Sequence, residues 1–320
     1  MAAQFINLSF RDGTLMASNS VPVKLLALGT AEIEGRPVDR EAFFDLVHSA
    51  IDTGITAFDT ASNYQDGRAQ CWLMEALTDY CDTINPDSSL SDFAVITKVG
   101  QLSNSEWRTR CLFDQKACYY DFSEEFLEKQ LENSCQLFRN IGHLVVLLHN
   151  PEDDPRLHRV SEFVRLARLL ESWSQRGCFH GWGVSSWSGL FGGEGQPATF
   201  QLTELAGGCG TERFQFFKAV QVPFGLWNAE QAFLPAQSIV PKNENVDLFE
   251  VARHYGITVY VNSCFHGGAG LPEHSDVADE RILEPADVMR FCSHMIPDAI
   301  RILGASRKET IKASMNALLG

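Results

Sequence analysis

The sequence predicts an α/β fold, a closed (β/α)8 TIM barrel preceded by an N-terminal β-hairpin. Short apolar runs alternate with helix-length amphipathic stretches, the pattern of parallel strands joined by crossover helices. Eight strands and eight helices can be read, which suits a closed barrel better than an open sheet. The chain has 320 residues and is 45% hydrophobic, enough for one core of that size. No Pro- or Ser-rich linker divides it, so residues 1–320 read as a single domain. The glycine-rich stretches Gly192-Gly193-Glu194-Gly195 and Gly207-Gly208-Cys209-Gly210 read as loops within it.

The elements follow in order. Phe5 to Phe10, a turn at Asp12-Gly13 and a return strand form the hairpin. Strands are expected near 24–28, 56–58, 93–97, 144–148, 181–184, 218–222, 257–261 and 300–303. Helices are expected near 39–53, 68–82, 123–139, 158–176, 199–207, 245–255, 286–293 and 307–319. Asp39 ahead of Ala42, Phe43, Leu46, Val47 and Ala50 reads as an N-cap before an apolar stripe, with Gly54 as the stop. Ser123, followed by Glu124 and Glu125, gives the same message.

Bulk properties exclude several classes. A net charge of −15 and a sequence pI near 5.0 oppose nucleic-acid binding, which needs a basic face. No run approaches the ~20 apolar residues of a membrane span, and no N-terminal stretch reads as a targeting signal. The nine cysteines are scattered without a CxxC pair. They read as free thiols of a reducing, cytoplasmic protein, not as a disulfide or metal framework.

Four proton-handling side chains lie at or just past the ends of three apolar runs. Asp59 and Tyr64 flank the turn after the second strand, Lys98 ends the third, and His149 ends the fourth. In a parallel barrel that face carries the chemistry. Singly, Asp59 reads as well as a helix cap, Lys98 as a surface cation, His149 as a core histidine and Tyr64 as packing. Together they describe a proton donor for a developing alkoxide. A phenol titrates near ~10, but an ammonium about 4 Å away attracts the phenolate by roughly 4 kcal/mol at an effective dielectric of about 20. Asp59 would keep Lys98 charged, and His149 would orient a carbonyl oxygen.

The stretches Leu28-Gly29-Thr30, Gly54 to Tyr64 (GITAFDTASNY), Ile96 to Gly100 (ITKVG), Leu148 to Glu152 (LHNPE), Gly183 to Ser186 (GVSS), Gln221-Val222 and Gly304 to Arg307 (GASR) resemble, in this order, the aldo-keto reductase superfamily. The run Tyr120 to Glu125 is similar to its sugar and small-aldehyde dehydrogenase branch. The resemblance implies Tyr64 as general acid, Lys98 and Asp59 as its tuners and His149 as the carbonyl-orienting group. It also implies NADPH or NADP, with NAD open, extended across the barrel top. Gly29 and Thr30 end the first strand beside it. Ser185, Ser186 and Gln221 would hold the nicotinamide carboxamide, and Ser263, Phe265 and Gly267 the pyrophosphate. Ser306 and Arg307 would take an adenosine phosphate at a helix N-terminus. No GxGxxG follows the first strand, so a Rossmann mode is not indicated. No metal is required.

The resemblance has departures. Asn262 stands where the family often stacks an aromatic ring on nicotinamide, with Phe265 the nearest alternative, and Ala313-Ser314 replaces the pair that usually holds adenine. The last predicted helix runs to the end of the sequence, so segment 101–122 is expected to wall the substrate site with Trp107 and Phe113. Trp187 and Trp227 are expected to join it. The expected activity is hydride transfer between the cofactor and a small-molecule aldehyde or ketone, or the corresponding alcohol. Two other readings stay open: a cofactor-sensing regulatory or scaffold subunit, and a non-redox cyclase or isomerase on the same fold.

Overall fold

Eight short apolar runs close on themselves in the computed structural model, which describes residues 8–11, 14–17, 26–31, 39–114, 118–192, 197–207, 214–239, 244–266, 284–305 and 307–319. The strands are β1 (Leu26–Gly29), β2 (Ala57–Asp59), β3 (Ala94–Val99), β4 (His143–His149), β5 (Gly181–Ser185), β6 (Phe217–Pro223), β7 (Thr258–Asn262) and β8 (Ile300–Gly304). All neighbours are parallel, and β8 pairs with β1 to complete the barrel. Leu8–Arg11 pairs antiparallel with Thr14–Ala17; Phe5 and the Asp12-Gly13 turn lie outside the described residues.

The crossover helices are α1 (Arg40–Asp52), α2 (Ala69–Asp79), α3 (Glu124–Leu137), α4 (Val160–Gln175), α5 (Leu202–Gly207), α6 (Leu248–Tyr255), α7 (Pro285–Met295) and α8 (Lys308–Leu319). Their ends follow the local signals. Asp39 accepts from the Ala42 N–H at 2.8 Å, and Gly54 takes φ +93 just past α1. Asp247 caps α6 and Gly256 ends it in the left-handed region. Ser123 precedes α3, but its side chain makes no cap bond.

Two segments differ from the sequence reading. Segment 101–122 holds a further helix, Asn104–Cys111, started by a reciprocal cap between Ser103 and Glu106. Residues 244–246 belong to an antiparallel pair with Gln237–Ile239, so the helix expected from 245 starts only after Asp247. A cap outranks apolar periodicity in setting where a helix begins.

Strand parity determines what reaches the rim. Ala27, Ala57, Ile96, Val145, Leu147, Ala219, Tyr260, Ile300 and Ile302 fill the barrel interior. Side chains two apart share a face of a strand. The next inward positions toward the C-terminal ends of β2, β3, β4 and β6 are therefore Asp59, Lys98, His149 and Gln221. Outward residues such as Leu28, Phe58, Val95, Val146, Val184 and Leu303 pack under the helices in the second, larger core. There the outward-facing Trp182 Nε1 donates to Glu171 Oε2 at 2.8 Å, while Glu171 Oε1 accepts from Gln215 N at 2.7 Å, tying α4 to the β5–β6 side.

Gly183 fits where no side chain could, because a Cβ there would collide with the backbone carbonyl of Ala219 on β6. Gly183→Ala should cost about 1–3 kcal/mol or more of stability, read as a fall in Tm. At the opposite end of β4, burial and the neighbouring His180, 4.5 Å ring to ring, push the His143 pKa down to about 3. The unfolded chain then binds a proton near pH ~6.5 that the folded chain refuses, so stability falls as pH drops from about 6.5 toward 3. His143→Gln should flatten that dependence by up to ~1.4 kcal/mol per pH unit, measured by chemical denaturation across the window.

Candidate active site

The inward positions converge on one buried ion pair. Both Asp59 carboxylate oxygens accept from Lys98 Nζ at 2.8 Å, and the ammonium's third bond goes to the Thr60 carbonyl at 3.0 Å. Gln221 Nε2 reaches across from β6 to Asp59 Oδ1 at 2.9 Å. The Asp59 carbonyl meanwhile accepts from the Thr30 N–H and hydroxyl at 2.9 and 3.1 Å, fixing the top of β2 against the end of β1.

Burial by itself would lower the Lys98 pKa, but the Asp59 carboxylate and the Tyr64 side chain outweigh it and hold the ammonium above its usual range. Burial lifts the Asp59 carboxyl against the pull of the same ammonium. Two 2.8 Å contacts and a third donor keep the pair ionic.

Tyr64 stands over this pair. Lys98 Nζ lies 4.7 Å from the centre of its ring, and the Tyr64 side chain is a further hydrogen-bonding partner of the ammonium. The ring is held by an unusual turn: Gln65 and Asp66, both non-glycine, take left-handed φ values of 52° and 54°, followed by Gly67 at 84°. Each left-handed non-glycine residue costs about 1–2 kcal/mol. Their side chains are anchored, Gln65 Nε2 to the Thr30 carbonyl at 3.3 Å and Asp66 Oδ1 to the Ser105 N–H at 2.8 Å.

His149 meets Tyr64 edge to face, 5.9 Å between ring centres at 79°. Burial and the Lys98 charge drive its pKa well below the usual histidine value, so the imidazole is neutral. Register sets His149 beside Ser185, Ser185 beside Gln221 and Gln221 beside Tyr260, one rung running across four strands.

The rim also gathers buried polar atoms that have no partner among the described residues: His149 Nδ1, Gln221 Oε1, Glu152 Oε2, Asn262 Oδ1, Asn63 Oδ1, Ser62 Oγ and Thr60 Oγ1. Such atoms are costly unless a ligand or water meets them. A carboxamide, with one donating and one accepting end, fits acceptors such as Gln221 Oε1 with hydroxyls beside them, which is what a nicotinamide requires.

The remaining expected residues divide. Ser185 is buried on the rung, but the Ser186 hydroxyl is occupied, donating to Glu152 Oε1 and accepting from the Gly189 N–H, both at 2.8 Å. Ser263 takes a left-handed φ of 56° just past β7, whereas the Phe265 ring is buried in the outer core. Arg307 is exposed at the start of α8, and Gly267 and Ser306 lie outside the described residues. Trp187 and Trp227 are about half exposed in the loops after β5 and β6. Trp107 is instead stacked on Tyr119 at 4.2 Å, and Phe113 is almost fully exposed. Glu152 was assigned no role from the sequence, although it ends the Leu148 to Glu152 stretch three residues past His149.

Among the described residues no three metal-binding side chains cluster, and no helix is long and apolar enough to cross a membrane. Asp59→Asn would strand a buried ammonium, so it should destabilise by about 3–5 kcal/mol in denaturant unfolding, much of which Asp59→Asn with Lys98→Met should recover.

Comparisons with known proteins bear on the fold and the family. Similar folds include the glycerol dehydrogenase AKR11B4 of Gluconobacter oxydans, at 17% identity and TM-score 0.63 over 99% of this chain and 90% of that one. The aldo-keto reductase AKR2E4 of Bombyx mori, solved with NADP, gives 16%, 0.58, 98% and 86%. An aldo-keto reductase of Klebsiella pneumoniae, solved with NADPH, gives 20%, 0.55, 92% and 86%. No curated protein sequence matches the chain. The model of the Aldo/keto reductase family matches residues 25–190, more than half of the sequence, and the chain belongs to that family of NAD(P)H-dependent carbonyl oxidoreductases.

Proposed function

We propose that the protein moves a hydride between nicotinamide C4 of NADP(H) and the carbon of a small aldehyde or ketone, or of the matching alcohol, with Tyr64 as the acid or base. The observation that carries this reading is the convergence of Tyr64, Lys98, Asp59 and His149 at one rim, with Lys98 held charged beside the phenol. The bound cofactor supplies or accepts the hydride, and the protein supplies position and proton. In reduction, Tyr64 gives its proton to the oxygen that becomes the alcohol. Lys98 stabilises the phenolate left behind, and Asp59 stops the lysine from losing its own proton instead. Neutral His149 orients the carbonyl oxygen without adding a competing charge.

Ser185 and Gln221 support a carboxamide at the rung, and Arg307 supports a phosphate near the start of α8. The preference for NADP rests on that arginine together with the NADP and NADPH bound in similar structures. Trp187 and Trp227, about half exposed in the loops after β5 and β6, suit a substrate with an apolar face.

Tyr64→Phe removes only the hydroxyl. Turnover on a panel of aldehydes and ketones, followed by nicotinamide absorbance, should fall at least ~100-fold while the Kd for NADPH stays within about threefold. Full turnover in that variant would discard the mechanism. Binding without any turnover by the unaltered protein would favour the cofactor-sensing alternative.

A further inference from the structure

Glu152 is a charged side chain at this rim that the proton-transfer scheme does not use. Its Oε1 accepts three hydrogen bonds: from the Ser186 hydroxyl at 2.8 Å, the Trp187 N–H at 2.6 Å and the Ser188 N–H at 3.1 Å. Three donors on one oxygen, two of them backbone, shape the turn that follows β5. The second oxygen, Oε2, is buried and has no partner among the described residues. A surface glutamate would place that oxygen in water, and a purely structural cap would find it a donor.

The turn leads straight back to the reacting centre. The Ser186 N–H donates to the Gln221 carbonyl at 2.8 Å, and the Gln221 side chain donates to Asp59. Asn150, two residues before Glu152 and left-handed at φ 50°, donates its N–H to the Ser185 carbonyl at 2.7 Å. A carboxylate is thus wired to the serine pair on the side where the proposed function sets the nicotinamide, while the lysine charge opposite is already neutralised by Asp59.

We infer that Glu152 is a positioning and charge-selecting residue: it presets the Ser186–Ser188 turn next to Ser185 and favours the oxidised, cationic nicotinamide over the reduced, neutral ring. The inference rests on the hydride-transfer reading above and deepens it by assigning a direction. The two cofactor forms differ by one positive charge on the ring. A fixed negative charge behind the carboxamide therefore acts on one form and not on the other. Stabilising the oxidised form poises the bound equilibrium toward dehydrogenation, in which the alcohol carbon gives a hydride to the ring and its hydroxyl proton to Tyr64. In this reading the orphaned Oε2 accepts from a carboxamide N–H.

The test is equilibrium binding of NADP+ and of NADPH, each measured by tryptophan fluorescence quenching or calorimetry. It compares the unaltered protein, Glu152→Gln and Glu152→Asp. Glutamine keeps an accepting oxygen for the three donors and removes the charge; it also turns the second oxygen into a donating amide, a change that acts on both cofactor forms alike and so drops out of their ratio. The ratio Kd(NADP+)/Kd(NADPH) should rise about tenfold in Glu152→Gln, equivalent to about 1.4 kcal/mol. It should stay within about threefold of the original in Glu152→Asp, and Asp153→Asn, the same charge change one residue along, should leave it unmoved. An unchanged ratio in a folded Glu152→Gln protein overturns the inference, as does loss of the preference in Glu152→Asp. A purely structural role would weaken both forms equally and leave the ratio where it was. Failure of the unaltered protein to bind either form overturns the proposed function and this inference together. Normal binding with an unmoved ratio overturns the inference alone.

Discussion

Two opposite charges sealed inside the mouth of an apolar barrel constrain everything around them. Lys98 and Asp59 are almost wholly buried, and each charge is tolerable there only because the other lies 2.8 Å away. The pair draws β2, β3 and β6 to fixed heights, since Asp59, Lys98 and Gln221 must all reach one point, while Thr30 ties β1 to the Asp59 main-chain carbonyl. A hydrophobic filling of the same volume would cost less to bury. What the ion pair adds is a permanent cation beside the Tyr64 phenol and beneath a neutral imidazole.

The barrel is accordingly divided along its axis. Its body is filled with apolar side chains, with Trp182 Nε1 and Glu171 paired there, although Arg301 Nε and Nη1, Trp173 Nε1, Ser174 Oγ and Ser314 Oγ are buried without a partner among the described residues. Its C-terminal rim is under-satisfied and strained. The five non-glycine residues with positive φ among the described residues are Gln65, Asp66, Asn150, Ser263 and His266, and all sit in loops that follow β2, β4 or β7. The orphaned acceptors of Glu152, Gln221 and Asn262 lie in the same region. Strain and unmet hydrogen bonding at one face, over a rigid body, are the marks of a site prepared for a ligand. At the other end of the barrel the half-buried His143 and the exposed His180 carry no such signature and read as packing.

Much of this was legible before any coordinates. Runs such as Leu144–Leu148 are apolar on both faces because parallel barrel strands are buried on both, and that continuity marked all eight strands to within a few residues. The cap at Asp39 is a one-residue signal with a local cause. Where signals were weak or competed, the boundaries moved. Residues 244–246 entered a short antiparallel pair, and the Ser103–Glu106 cap raised a helix inside what looked like loop. The aromatic residues were the least legible. Burial of Phe265, stacking of Trp107 on Tyr119 and exposure of Phe113 depend on neighbours remote in sequence.

Alone, the sequence determined the strand–helix order, the alternation that points side chains inward or outward, and the arrival of Asp59, Lys98 and His149 at strand ends. These follow from local periodicity, which any stretch of chain carries within itself. Only the tertiary structure decided that Gln221 would spend its amide on Asp59, that the Ser186 hydroxyl would be held by Glu152, and that Tyr64 would be fixed by a left-handed turn. Those outcomes depend on register between strands up to 162 residues apart and on competition among donors for the same acceptor. That competition exists only once the barrel has closed.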